Sequence, residues 1–244
     1  MADDPFTTLW VYLAASPLLW LSLTLVCYLI ALRIYRLGGE SPWFNPVAIA
    51  VALLIGLLLL TDTPYQTYFD GAQFVHFLLG PATVSLAIPL YRERHRLQRL
   101  ALPIVAALLA AVLTAASSAI GLGALLGAST ETLISLAPKS VTAPVAMGIS
   151  EKLGGLPSLT AVLVVSTGIV GAVLGTGLFR LLGIRDDAIK GFALGATSHG
   201  IGTARAFQVS PVMGAFAGLA MALSALVTAL LLPPLLARFM ASGG

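Results

Sequence analysis

Lys139 is the residue whose type and position most demand a chemical explanation. It lies in the apolar run Leu133–Ile149, eight residues after Glu131 and twelve before Glu151. An ammonium at the centre of a membrane helix costs about 2.5–3.5 kcal/mol on insertion scales. Ser140 and Thr142 follow it as hydroxyl donors, and Pro138 and Pro144 flank the group. Proline breaks the helical hydrogen-bond ladder and frees backbone N–H groups. A cation, two hydroxyls and loose N–H groups are the parts of a site for a small anion. The competing reading is a re-entrant segment in which Lys139 reaches water or pairs with Glu131.

A second cluster runs from Gly195 to Arg205, Gly-Ala-Thr-Ser-His-Gly-Ile-Gly-Thr-Ala-Arg. His199 could hydrogen-bond a carboxylate or carry a coupling proton, because its ordinary pKa is about 6.5. Arg205 could grip a carboxylate through two parallel bonds. Ser198 and Thr203 add hydroxyls, and Gly200 lets backbone approach a ligand closely. The bland alternative is helix packing through small residues, for which the spacings Gly191/Gly195, Gly171/Gly175 and Gly214/Gly218 are suited. Those spacings also make a homodimer conceivable. Pro81 and Thr83, in Leu-Gly-Pro-Ala-Thr-Val-Ser, are candidates to line the same cavity.

Other chemistries find no support. Three scattered histidines and one cysteine, Cys27, offer neither ligand spacing nor an intrachain disulfide. No Walker A pattern is present, and Gly195–Gly202 follows an apolar run rather than a strand. No serine, histidine and acid assemble into a nucleophilic set. The expectation is a protein that is not an enzyme and needs no cofactor.

These residues need a scaffold, and the composition specifies its kind. The 244 residues are 58% hydrophobic and 9% charged, with mean hydropathy +0.98. Soluble domains carry about 25% charged residues. Long apolar runs without dyad alternation exclude a barrel and leave membrane helices. We read eight segments: Leu9–Leu32 with a kink at Pro17, Pro46–Leu60, Phe74–Leu90, Leu100–Leu126, Leu133–Ile149, Leu159–Leu182, Gly191–Phe207 and Pro211–Ala237. They form one domain over 1–244, with short tails at 1–8 and 238–244.

Arg33 and Arg36 follow the first segment, and Arg92, Arg94, Arg96 and Arg99 follow the third. The loop between the second and third holds Asp62 and Asp70 and no basic residue. The positive-inside rule then makes the basic loops cytoplasmic and the N-terminus external, and accounts for the net charge of +3 without nucleic acid. Tyr65, Tyr68 and Phe69 suit an interfacial aromatic belt.

Two echoes point to an internal repeat. Leu79–Ser85 aligns with Leu136–Thr142, and Leu125-Leu126-Gly127 with Leu181-Leu182-Gly183, at offsets near 57 residues. Transporter folds commonly carry interrupted helices at matching places of two repeats.

The same residues resemble a known family. Leu79–Val84 through Ile88–Tyr91 is similar to the LGPATVALAVPLY stretch of LrgB/CidB proteins. Pro138–Met147 resembles their PKSVTTPIA segment, and His199 with Gly200–Ala206 resembles their H-x-I-G-T-A-R-A segment. Ala143 stands where a second threonine is common and Gly148 where a glutamate is common, so roles of those side chains do not carry over. The resemblance implies either transport of small 2-hydroxy or 2-oxo monocarboxylates, such as glycolate, glycerate or pyruvate, or a holin/antiholin-like control of murein hydrolases and lysis. It also implies a small LrgA-like membrane partner.

Overall fold

The computed structural model describes residues 17–78, 81, 84, 87–92 and 94–242, and every regular element among them is helical. The chain falls into two compact units, Met1–Ser85 and Leu86–Gly244. Five helices among the described residues are long and apolar enough to cross a membrane: Leu18–Leu37, Pro42–Leu60, Ala101–Leu125, Pro157–Leu181 and Pro211–Arg238. The protein is therefore a multi-pass helical membrane protein.

In the first unit, α1 (Pro17–Leu37), a short 3-10 turn (Pro42–Phe44), α2 (Pro46–Leu60) and α3 (Tyr65–Phe77) follow in order. Pro17, expected as a kink, is the first described residue of α1. α2 begins as the sequence predicts: Pro46 occupies the first turn and the Asn45 carboxamide oxygen accepts from Val47 N at 2.9 Å and Ala48 N at 3.1 Å. α1 packs on both α2 and α3, with Trp20 fully buried and edge-on to Tyr68 at 5.9 Å.

α3 corrects the expected loop around Asp70 and the expected start of a segment at Phe74. Gln66 donates to the Asp70 carboxylate one turn away at 2.9 Å, and Tyr65 stacks on Phe69 at 5.9 Å. These i,i+4 pairs stabilise a helix that a hydropathy reading passes over because it is polar. Of the Leu79–Ser85 echo only Pro81 and Val84 are described, so the first half of that repeat lies outside the described residues.

The second unit contains α4 (Ala87–Arg92), α5 (Arg94–Arg99), α6 (Ala101–Leu125), α7 (Thr130–Leu136), α8 (Ala143–Lys152), α9 (Pro157–Leu181), α10 (Asp187–Val209) and α11 (Pro211–Ser242). α6 and α9 are each 25 residues long, about 37 Å at 1.5 Å per residue, enough to cross the hydrocarbon core. They end alike. Gly127 and Gly183 take positive φ (77° and 68°), while Ala128 N reaches back to Gly123 O and Ile184 N to Phe179 O, both at 2.9 Å. Each is a Schellman turn, in which glycine avoids the Cβ penalty of the left-handed region. The Leu-Leu-Gly echo is thus one turn made twice.

α11 is the centre of this unit. Half of its most apolar 18-residue window is buried, against 17–22% in the other four candidate spans. Its closest neighbour is α10, and the reason is glycine. A Cβ on Gly191 would collide with Met213 O, and one on Gly195 with Ala217 O, so only hydrogen fits between the two backbones. Gly171 and Gly175 of α9 face Ser198 and Leu194 of α10 in the same way. These spacings are occupied within the chain.

Candidate functional site

Two of the predicted segments are broken, and the breaks hold most of the polar candidates. The first separates α7 from α8. The Ser129 hydroxyl accepts from Thr132 N at 3.3 Å to start α7, and helical geometry ends at Leu136, just ahead of fully buried Pro138. Residues 137–142 form turns, with Lys139 N on Leu136 O and Val141 N on Pro138 O, both at 3.2 Å. Thr142 then precedes α8, whose first turn contains Pro144. The proline interruption read from the sequence is present.

Within this break Lys139 is half-buried, and its ammonium makes no hydrogen bond or ion pair among the described residues. Glu131, its alternative partner, is exposed in the first turn of α7 and does not pair with it. Thr142 makes no side-chain capping bond, so the first N–H groups of α8 keep their capacity for an acceptor. Ser140 is buried.

The second break lies inside α10. Ser198 (φ −127°, ψ 16°) and His199 (φ 40°, ψ −132°) leave helical geometry while the chain continues as helix on either side. A non-glycine residue at such a φ costs roughly 1–3 kcal/mol and persists only where its surroundings enforce it. Here they do. His199 Nε2 lies 2.9 Å from Val164 O of α9, and its carbonyl accepts from the Thr203 hydroxyl at 2.8 Å. Gly168 and Gly171 leave room for the two displaced side chains: a Cβ at Gly168 would meet His199 Cε1 at 2.7 Å, and one at Gly171 would collide with Ser198 Oγ. Ser198, His199 and Thr203 are all buried, whereas Gly200 is exposed.

A small cavity lies beside the first break, lined by its Pro138, Ser140 and Val141 together with Ala196 of α10, Ala116 of α6 and Thr228 of α11; neither Lys139 nor His199 is among the lining residues. Val164, the hydrogen-bond partner of His199, also packs on Val141 and Ala146. The cavity holds about 10 Å³, room for about one water.

Of the candidate residues in this unit, Ser140 alone lines that cavity. Arg205 is buried near the end of α10 and donates to the Gln208 carboxamide at 3.0 Å. Pro81 falls in the first compact unit, where it is exposed. Thr83 lies outside the described residues.

The structure adds hydroxyls that sequence reading passed over. Ser135 is fully buried: its hydroxyl accepts from Leu156 N at 2.8 Å and its carbonyl accepts from the Thr160 hydroxyl at 3.1 Å. This ties α7 to the start of α9. Thr228 and Ser224, one turn apart on α11, are likewise buried. A hydroxyl pair at i,i+4 on an otherwise apolar helix was the available signal.

The chain has relatives among known proteins along nearly its whole length. The LrgB-like family profile matches residues 24–238. The Bacillus subtilis protein YwbG is 37% identical over 90% of this chain and 97% of its own length. The holin-like protein CidB of Staphylococcus epidermidis is 31% identical over 91% of this chain and 96% of its own, and that of Staphylococcus aureus is 32% identical over 91% and 96%. No solved structure matches. The chain, from its first described helix to its central α11, belongs to the LrgB-like family.

Proposed function

We propose that this protein is a membrane carrier for small organic anions, 2-hydroxy or 2-oxo monocarboxylates such as glycolate, glycerate or pyruvate, working without enzymatic chemistry or a cofactor. The observation that carries this reading is Lys139: a half-buried ammonium without a hydrogen-bond or ion-pair partner among the described residues, set in a break that also exposes the start of a helix. A buried cation without a counter-charge is unfavourable unless a ligand supplies one. Ser140 and Thr142 would orient the acid. Ser198 and His199 form the break in α10, with Gly200 and Thr203 in the helix that follows; these residues would complete the site, and His199 would move a coupling proton. Arg205 would act at a distance from this cavity, by holding the end of α10.

An internal repeat fits this reading. A 25-residue helix, a Leu-Leu-Gly turn and a capped, broken helix occur in order at 101–152 and again at 157–209. Paired broken helices are a common way to build a midplane site in carriers. Eight segments, counting short and interrupted ones, remain our reading of the topology.

A second reading has the relatives behind it. Two of them bear the name holin-like protein, and by relationship alone a holin/antiholin-like role in lysis is the better supported of the two. The readings separate in liposomes. A carrier takes up labelled pyruvate, glycolate or glycerate saturably, and Lys139→Ala abolishes the uptake. A holin-like lesion leaks small dyes without saturation and ignores Lys139. Co-expression with an LrgA-like small membrane protein tests whether either activity needs a partner.

A further inference from the structure

The second unit carries a feature that neither break uses. A groove of about 380 Å³ runs between α6 and α10, lined by Leu100, Ile104 and Ala107 on one side, Ile189 and Phe192 on the other, and Phe216 of α11 at its floor. That volume lies in the range of ligand pockets, roughly 300–1,000 Å³. Thr197, which also lines it, turns its hydroxyl back onto Ala193 O at 2.8 Å. The lining is hydrocarbon in character, wrong for a small carboxylate and right for an alkyl chain.

One end of the groove is basic. Leu100 directly follows α5, which carries Arg94, Arg96 and Arg99. The Arg96 guanidinium lies 5.4 Å from the centre of the Phe216 ring, so it sits against the groove floor. It also pairs with Asp186 at 2.7 Å, while Lys190 pairs with Asp187 at 2.9 Å. Those two acids are spoken for by two cations. Arg99, next to the groove residue Leu100, is exposed and has no hydrogen-bond or ion-pair partner among the described residues. The positive-inside rule assigns this end to the cytoplasmic leaflet, where anionic lipids are held by basic residues.

We propose that the α6–α10 groove is a binding site for an anionic phospholipid, with an acyl chain along Ile104, Ala107 and Phe192 and the headgroup phosphate at Arg96 and Arg99. Charge at the mouth selects the headgroup, and the apolar lining holds the chain. The proposal does not depend on what the breaks transport.

Native mass spectrometry of the detergent-purified protein, offered equal amounts of phosphatidylglycerol and phosphatidylcholine with matched acyl chains, tests it. The expected result is a bound lipid with a preference of roughly fivefold for phosphatidylglycerol, in line with about 1 kcal/mol from the one cation, Arg99, that Asp186 and Asp187 do not pair. Arg99→Gln alone should reduce the preference, and Arg96→Gln with Arg99→Gln should remove it. Ala107→Phe should displace the lipid by filling the groove. Ala107 is exposed, so the larger side chain leaves the core unchanged, and a monodisperse size-exclusion profile checks this. Equal retention of both lipids overturns the proposal. So does a preference that survives Ala107→Phe, which would place the lipid on the basic surface and outside the groove. A second polypeptide bound in place of lipid, lost on Ala107→Phe, overturns it in favour of a helix-docking face.

Discussion

The two breaks solve the same problem in opposite ways. At Ser198 and His199 the backbone is strained but satisfied: Val164 O meets the imidazole, Thr203 meets the His199 carbonyl, and glycines on α9 clear the space. At 137–142 the backbone is relaxed but underused, with the Lys139 ammonium and the Thr142 hydroxyl making no bond among the described residues. Interior polar groups are normally paired. The break in α10 is therefore a joint held in a fixed shape, whereas the break at Lys139 leaves polar groups without protein partners among the described residues.

Substitutions can break or sharpen that contrast. The largest effect belongs to Lys139→Ala: uptake of labelled carboxylate by proteoliposomes should fall to background, while the melting temperature in detergent holds or rises, because a costly charge is gone. A matching loss of folded protein would instead make Lys139 structural. Next is Gly195→Ala, whose methyl group meets Ala217 backbone and not a movable side chain. Denaturant titration should show a loss of about 3 kcal/mol, the upper end of ordinary overpacking.

Ser135→Ala comes third. It removes the partner of the Leu156 N–H, on a residue that is itself exposed, which should cost about 0.5–1.5 kcal/mol. His199→Gly is subtler: relief of roughly 1–3 kcal/mol of strain offsets a lost hydrogen bond of about 1 kcal/mol. Both His199→Gly and His199→Ala also lose the packing of the buried imidazole, so the difference is what counts: His199→Gly should be roughly 1–3 kcal/mol more stable than His199→Ala, which keeps the strain. If both variants melt alike, the positive φ carries no strain. Ser140→Ala should be the quietest, within about 0.5 kcal/mol, because the hydroxyl makes no bond among the described residues; a change confined to the KM for the carboxylate would mark it as a ligand contact.

What the sequence made legible follows from how each signal arises. The bounds of α2, α6 and α9 could be read within a few residues because proline, an apolar run and a glycine turn are local features. The proline break at Lys139 was local too. α3 was missed because its stability comes from side-chain pairs one turn apart, which hydropathy does not register. The kink at His199 was only hinted at by Gly200, since its geometry depends on Val164, 35 residues earlier. Ser135 and Thr160 looked like isolated hydroxyls for the same reason: 25 residues separate them. Contacts between distant segments leave no periodicity to read.

The fit of Gly191 and Gly195 against α11 also bears on how such a protein can change. Where only a hydrogen atom fits, drift has one letter to choose from, and a saturation scan should return near-total intolerance at both positions. The glycine seam is a fixed spine, and any movement of α10 must carry α11 with it.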